Sequence, residues 1–197
     1  MSDAVSGEVA AQYILENRTN GWLKYAVHVL EAAPYIRRTL FAELRQDVAG
    51  RLRARFLDED RKYIDVESSE NDDWWFSIDI TRKQWGSFQV CLANWQDDGR
   101  EIAISVYHEG TRQPGTRTRE RIRKTLAELR YAWHRKKHSD YLWNVWAEHS
   151  DWSTPGFLLR LVDEEERQTV ASEVEQEIAA VVNAMDETLV KCAKGGR

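Results

Sequence analysis

The period of the hydrophobic pattern changes twice along this chain, and this constrains the fold more than any other sequence feature. Apolar residues recur at helical spacing up to about residue 56, at every second residue in runs between residues 63 and 107, and at helical spacing again from about residue 117. A period near 3.6 is typical of amphipathic helices and a period of two is typical of strands. The order of the segments therefore predicts an α+β fold.

Four short runs carry the strand period, at residues 62–67, 74–80, 88–92 and 102–106. The connections between them are short, and two of them contain Gly86 and Gly99, so antiparallel hairpins are expected. We predict a four-stranded antiparallel meander packed with long amphipathic helices. One sheet face is apolar and covered by the helices, and the opposite face is expected to be solvated.

The helical spacing also predicts the domain organisation. Two short helices are expected at residues 8–17 and 22–31, and Pro34 fits the first turn of a longer helix that runs to Phe56. Later helices are predicted at about 117–137 and from a capping box at Asp163 onward. The predicted organisation is an N-terminal helical extension (1–33), a single α+β domain (34–191) and a frayed tail (192–197).

The formal net charge of −5 conceals two segments of opposite sign. Residues 112–137 hold ten basic and two acidic residues, and residues 163–187 hold nine acidic residues and one basic residue. These segments either neutralise each other or present faces to different partners. No apolar run is long enough for a membrane helix, and the two cysteines do not suggest a disulfide framework, so we expect a cytoplasmic protein without membrane contact.

Two clusters of residues are candidates for catalysis or metal binding. His134 and His138 are four residues apart, but three basic residues between them disfavour a divalent cation, so both are interpreted as surface histidines. A second cluster suggests a magnesium-dependent nuclease, formed by Asp65, Glu67, Asp79 and Lys83. Its spacing departs from the nuclease pattern because Thr81 stands where lysine is expected. We predict no catalytic residue, no metal and no cofactor.

Nine tryptophans need a physical reason. Core packing is the default interpretation, but aromatic residues beside arginines are also typical of protein-binding hot spots and of platforms for single-stranded nucleic acid. Trp74 and Trp75 are adjacent in a predicted strand and must point to opposite faces. If Trp74 lies in the core, Trp75 is expected on the outer face, near Trp95 or under a helix.

The order of several aromatic segments resembles the C-terminal region of bacterial and phage proteins in the PD-(D/E)XK nuclease family. The resemblance rests on the segments Trp74 to Ile78, Trp85 to Phe88 and Ser139 to Trp143, followed by Trp152 and an acidic helix, and it covers about residues 34–190. The acidic and lysine signature of the nuclease core has no counterpart here. The resemblance therefore implies a recognition module without catalytic residues, in a setting of phage–host conflict.

These observations favour a non-catalytic binding protein, such as an inhibitor or recognition module that occludes a partner protein. One charged face is expected to dock on a partner of opposite sign, with tryptophans as anchors. The candidate binding residues are Arg119, Arg123, Lys124, Arg130, Trp75, Trp95, Glu173, Glu175 and Glu177. The alternatives are a divergent magnesium-dependent nuclease and a nucleic-acid-binding protein that uses the basic helix within Arg112–Lys137.

Overall fold

The computed structural model describes residues 4–17, 21–58, 64–70, 76–94, 99–100, 102–110, 114–129, 142–145 and 151–194. In these ranges the helices are α1 (Ala4–Glu16), α2 (Trp22–Asp58), α3 (Thr116–Ala127), α4 (Pro155–Val162) and α5 (Glu164–Lys194). The strands are β1 (Ile64–Glu70), β2 (Phe76–Arg82), β3 (Phe88–Asn94), β4 (Ile102–His108) and β5 (Leu142–Val145). The chain divides into two compact units, Met1–Phe41 and Ala42–Arg197.

Helix α2 runs without interruption through Pro34, so the prediction of one helix ending at residue 31 and another starting at Pro34 was wrong. An interior proline removes one backbone hydrogen bond and costs about 3 kcal/mol. Ala32 and Ala33, which precede it, are the strongest helix formers. The helix tolerates the single lost bond, and the residue boundary between the two units, after Phe41, falls within the range of α2.

The sheet of the second unit confirms the antiparallel meander, with strand order β1-β2-β3-β4-β5. The register places Ile80 opposite both Val66 and Val90, and Val90 opposite Val106. Strand β5 extends the predicted four strands to five by pairing with β4. Its four residues are too few for a two-residue period to be recognised in the sequence.

One face of the sheet forms the hydrophobic core. The side chains of Ile78, Ile80, Val90, Ile104 and Val106 are completely buried. Helix α5 packs on β3 and on the 3-10 turn that follows β2, and it buries twelve of its own residues. The sequence correctly predicted that long helices cover this face.

Trp152 extends the core toward α4. Its ring is stacked between Phe76 of β2 and Phe157 of α4, with centroid distances of 5.4 Å and 5.7 Å. Trp152 and Trp85 are both fully buried. The default interpretation of tryptophan as core packing is confirmed for these two residues.

The opposite face of the sheet is not the solvated surface that the sequence predicted. At its centre Ser77, Cys91, Ala103 and Ser105 are at most 3% exposed. All four side chains are small, which lets other chain atoms approach the strands closely. Among the residues of this face whose burial is described, Asp65 and Glu67 at the β1 edge are exposed as predicted.

Two helix ends can be compared with the sequence prediction. Asp163 caps α5 as expected, because its Oδ1 accepts a hydrogen bond of 3.0 Å from the backbone N–H of Glu166. Helix α3 ends at Ala127, before the predicted end near residue 137, and residues 130–137 of that prediction lie outside the described residues. Its last turn tightens, with the N–H of Leu129 donating to the carbonyl of Leu126 at 3.2 Å.

A polar cluster fixes α5 to the turn after β2. The Asp186 carboxylate pairs with the Arg82 guanidinium and accepts a 2.8 Å hydrogen bond from the indole N–H of Trp85. Gly86 closes this turn with φ of 63°, a conformation that favours glycine. The cluster therefore joins a completely buried ring, a strand end and the central helix.

Replacing Asp186 by alanine leaves the Arg82 and Trp85 donors without their acceptor, so we expect a loss of about 2 kcal/mol in the free energy of unfolding. Urea denaturation measures this loss. The matched control is Glu187→Ala, whose side chain is 85% exposed and pairs only with Lys191. The control is expected to change stability by less than about 0.5 kcal/mol, and equal losses in both variants would contradict the role of the cluster.

Candidate interaction surfaces

Some acidic side chains of α5 pair with arginines of neighbouring helices. Glu175 is 5% exposed and pairs with Arg55 of α2, whose Nη2 donates to Glu175 Oε2 at 3.3 Å. Arg167 of α5 reaches back to α2 and pairs with Glu43 at 2.8 Å and Asp47 at 3.1 Å. Ion pairs therefore join α2 and α5 with the arginine on either helix: Arg55 of α2 pairs with Glu175, and Arg167 of α5 pairs with Glu43 and Asp47.

Arg160 of α4 adds a second set of ion pairs, with Glu166 at 3.3 Å and Glu173 at 3.2 Å. Of the three glutamates predicted to bind a partner, Glu175 and Glu177 are buried, and Glu173 is partly exposed and already paired. The expected docking face of three glutamates is therefore not present. On a helix, residues two apart lie on nearly opposite sides, so no single face holds all three side chains.

The basic helix α3 has a different environment. Ile122 and Leu126 are completely buried, and Thr125 hydrogen bonds through its hydroxyl to Thr188 of α5 at 2.9 Å. On the outer side, Arg117, Arg121 and Lys124 are exposed at i, i+4 and i+7 spacing, which aligns them along one helix face. We call these three residues the α3 basic stripe.

The four predicted basic residues differ in their exposure. Lys124 is exposed, Arg119 and Arg123 are partly buried, and Arg130 lies outside the described residues. Trp75 and Trp95, the predicted aromatic anchors, also lie outside them, as do His134 and His138. The stripe therefore shares Lys124 with the prediction and adds Arg117 and Arg121.

The start of α3 is electrostatically unfavourable for its own helix. No acidic residue occupies the first turn, and Gly115 at the N-cap offers no side-chain hydrogen bond. Arg117 in this turn faces the positive end of the helix dipole, an arrangement that costs about 0.3–1 kcal/mol. The charge of Arg117 and the positive end of the helix dipole both add to the positive potential at this end of the stripe.

The residues of the nuclease alternative do not assemble into a metal site. Glu67 and Asp79 are direct cross-strand partners, and Asp65 lies opposite Thr81. Lys83 lies beyond the strand, in the turn, where it lines a recess of about 460 Å³ with Gln84, Gly86, Ala193 and Lys194. In the described ranges no group of three histidine, cysteine or acidic residues is placed to hold a metal ion.

Asp79 has internal partners for both carboxylate oxygens. Oδ2 accepts a 2.5 Å hydrogen bond from the hydroxyl of Ser77, and Oδ1 accepts one of 3.2 Å from Nε2 of Gln89. Burial raises the pKa of Asp79, the Ser77 hydrogen bond opposes this, and the charges of Glu67 and Glu109 raise the pKa further. The geometry is that of a satisfied, partly buried carboxylate.

Sequence reasoning missed a set of exposed apolar side chains on α1 and the first half of α2. Eleven large apolar residues between residues 9 and 36 are more than 40% exposed, although a pattern of this kind is usually taken as core. They are Val9, Tyr13, Leu15, Trp22, Leu23, Tyr25, Val27, Val29, Leu30, Tyr35 and Ile36. The available signal was that apolar residues occupy several sides of α2 instead of one.

No family model matches this chain, and neither the curated proteins nor the solved structures include a similar one. The resemblance to the PD-(D/E)XK nuclease family therefore stays a prediction. Among the described helices, none has the length and apolar character needed to cross a membrane.

The raised pKa of Asp79 predicts a pH-dependent stability. The folded state holds the Asp79 proton more tightly than the unfolded chain does, so ionised Asp79 weakens the fold. This penalty is absent below the ordinary aspartate pKa of 3.8 and complete above the folded-state pKa. Asp79→Asn removes the charge and keeps the shape, so we expect a higher melting temperature than wild type at neutral pH. The difference should shrink as the pH falls toward 3.8.

Thermal denaturation of both proteins across this pH range measures the effect. Asp65→Asn is the matched control, because Asp65 is an exposed aspartate on the neighbouring strand. The control should leave the melting temperature unchanged throughout. A destabilised Asp79→Asn protein at neutral pH would show that the ionised carboxylate supports the fold.

Both cysteines are expected to be unreactive in the folded protein. Cys91 and Cys192 are each 3% exposed, and burial raises the pKa of both thiols, although Arg121 partly opposes this at Cys192. A colorimetric thiol reagent should modify neither residue in native buffer and both in guanidinium chloride. The variants Cys91→Ser and Cys192→Ser show which of the two thiols gives any reaction with the reagent. A thiol that reacts equally fast before and after unfolding would contradict this burial.

Proposed function

We propose that this chain is a non-catalytic binding protein that docks the α3 basic stripe on an acidic surface of a partner protein. The observation that carries the proposal is a difference between the two charged segments. In the acidic segment Glu166, Glu173 and Glu175 are paired with arginines of α4 and α2. In the basic segment Arg117, Arg121 and Lys124 are exposed along one face. The basic segment therefore offers a row of three exposed cations for recognition, whereas the buried carboxylates of α5 are not accessible.

The placement of these cations supports a binding role. Arg117 in the first turn of α3 opposes the helix dipole, so folding alone gives no reason for a cation there. Arginine is also the residue best suited to recognise carboxylates, because its planar guanidinium donates two parallel hydrogen bonds. The stripe therefore combines long-range attraction with directional contacts.

A protein partner fits this surface better than a nucleic acid does. Binding to a phosphate backbone requires several cations along a continuous track. Exposed Glu120 and Glu128 interrupt the cations of the α3 surface. The exposed Glu187 of α5 directly precedes Thr188, which contacts α3. Mixed charges of this kind are typical of the polar rim of a protein interface. Binding there would occlude the partner's acidic surface.

Charge reversal tests the proposal. The stripe variant combines Arg117→Glu, Arg121→Glu and Lys124→Glu, and the control combines Lys83→Glu, Lys191→Glu and Lys194→Glu, which are exposed cations of α5 and the turn after β2. Both variants have the same net charge. The probes are polyglutamate, as a model acidic polypeptide, and labelled single-stranded and duplex DNA, measured by fluorescence anisotropy over a range of salt concentrations.

We expect wild type and control to bind polyglutamate, and the stripe variant to bind at least about tenfold more weakly, a difference of about 1.4 kcal/mol. Equal affinity of all three proteins would contradict the proposal. Tighter binding to DNA than to polyglutamate, with a steep loss in salt, would favour the nucleic-acid alternative instead.

A further inference from the structure

The first unit, Met1–Phe41, lacks a core of its own. Among its described side chains, every residue before Phe41 is exposed or only partly buried. The described ring contacts are edge-to-face, between Tyr13 and Trp22 at 5.8 Å and between Trp22 and Tyr25 at 6.3 Å. A 13-residue helix such as α1 is marginal in water without a packing partner.

The apolar side chains at the start of α2 form two stripes. Trp22, Tyr25, Val29 and Ile36 follow one side of the helix, and the second stripe, Leu23, Val27 and Leu30, follows another side at steps of four and three. Each stripe fits one neighbouring helix, and a helix with two such stripes is typical of the interior of a bundle. Among the described residues of this unit, α1 is the one other helix that could pack on such a stripe within a single chain.

We propose that the two apolar stripes of α2, together with α1, bind the same segment of a second copy of this chain, so that four helices form a bundle. The size of the surface supports this proposal. Eleven large side chains that are 42–76% exposed correspond to apolar area on the order of 1,000 Å². A stable interface needs about 800 Å² from each partner, so the surface is large enough for a dimer.

The near-zero net charge of residues 9–36 favours a second copy over a strongly charged partner or a lipid surface. Between residues 9 and 36 the chain carries two acidic residues, Glu16 and Glu31, and two basic residues, Arg18 and Lys24. A nearly neutral surface gives no preference for a strongly charged partner and is compatible with its own copy across a twofold axis. Helices that lie on lipid surfaces carry a polar face rich in lysine and arginine, which this segment lacks.

The test is the mass of the full chain in solution, measured by light scattering after size exclusion. The interface variant combines Leu23→Glu, Val27→Glu and Leu30→Glu. The matched control combines Leu57→Glu, Leu159→Glu and Val162→Glu, which are each 67% exposed in the second unit. Both variants exchange three exposed apolar residues for the same charge.

We expect wild type and control to show twice the 23.0 kDa of one chain, and the interface variant to show a single chain, with dimerisation weakened at least about 100-fold. If circular dichroism shows that the interface variant has lost helix, a second variant with alanine at the same three positions is measured instead. Alanine favours helix and removes only apolar contact, so this variant tests the interface without unfolding the helix. The alanine variant should then weaken dimerisation about tenfold or more.

Three results would overturn the proposal. They are a wild-type protein of single-chain mass at about 100 μM, an interface variant that dimerises as tightly as wild type, and a control that dissociates equally. A single-chain wild type that instead co-sediments with phosphatidylcholine vesicles would assign the surface to lipid. Stoichiometric co-purification with a different protein would assign it to that protein.

Discussion

Burial of α5 depends on arginines that reach it from other elements. Twelve of its residues are buried, including the carboxylates of Glu175 and Glu177. An unpaired buried carboxylate costs several kcal/mol, so a helix of this composition can occupy the centre of the fold only where cations surround it. Arg55 from α2, Arg82 from β2 and Arg160 from α4 provide that environment. The same pairing withdraws several acidic side chains of α5 from recognition, whereas Arg117, Arg121 and Lys124 of α3 remain exposed.

Much of the fold was predictable because it depends on local periods. The meander, its strand faces and the cap at Asp163 follow from spacing and turn residues that lie within a few positions of each other. Pro34 was misleading, since proline signals a helix start in most sequences and here lies inside one. The sequence did not predict that the face opposite the hydrophobic core is also buried, because serine is usually a solvent-exposed polar residue. Ser77 and Ser105 are instead small buried residues of this face.

The binding surfaces were less predictable, for a physical reason. Arg55 and Glu175 are 120 residues apart in sequence, and Arg82 and Asp186 are 104 apart. Counting charges along the chain detects that both segments exist but does not reveal which charges are already paired. Helix geometry alone could have separated Glu175 from Glu173. The exposed residues of α1 and α2 are a different case, because apolar composition indicates burial without indicating whether the covering atoms belong to the same molecule.

The continuity of α2 affects how its exposed half becomes ordered. The helix is 37 residues, or about 55 Å, long. Its second half is held by buried residues such as Leu44, Val48 and Leu52, so the first turns grow from an existing helix without the nucleation penalty of an isolated peptide. Propagation toward the N-terminus must still pass Pro34, where one backbone hydrogen bond is missing. In the single-chain form, hydrogen exchange should therefore be slow after this residue and progressively faster before it, with fraying that begins at Trp22 and stops at the proline.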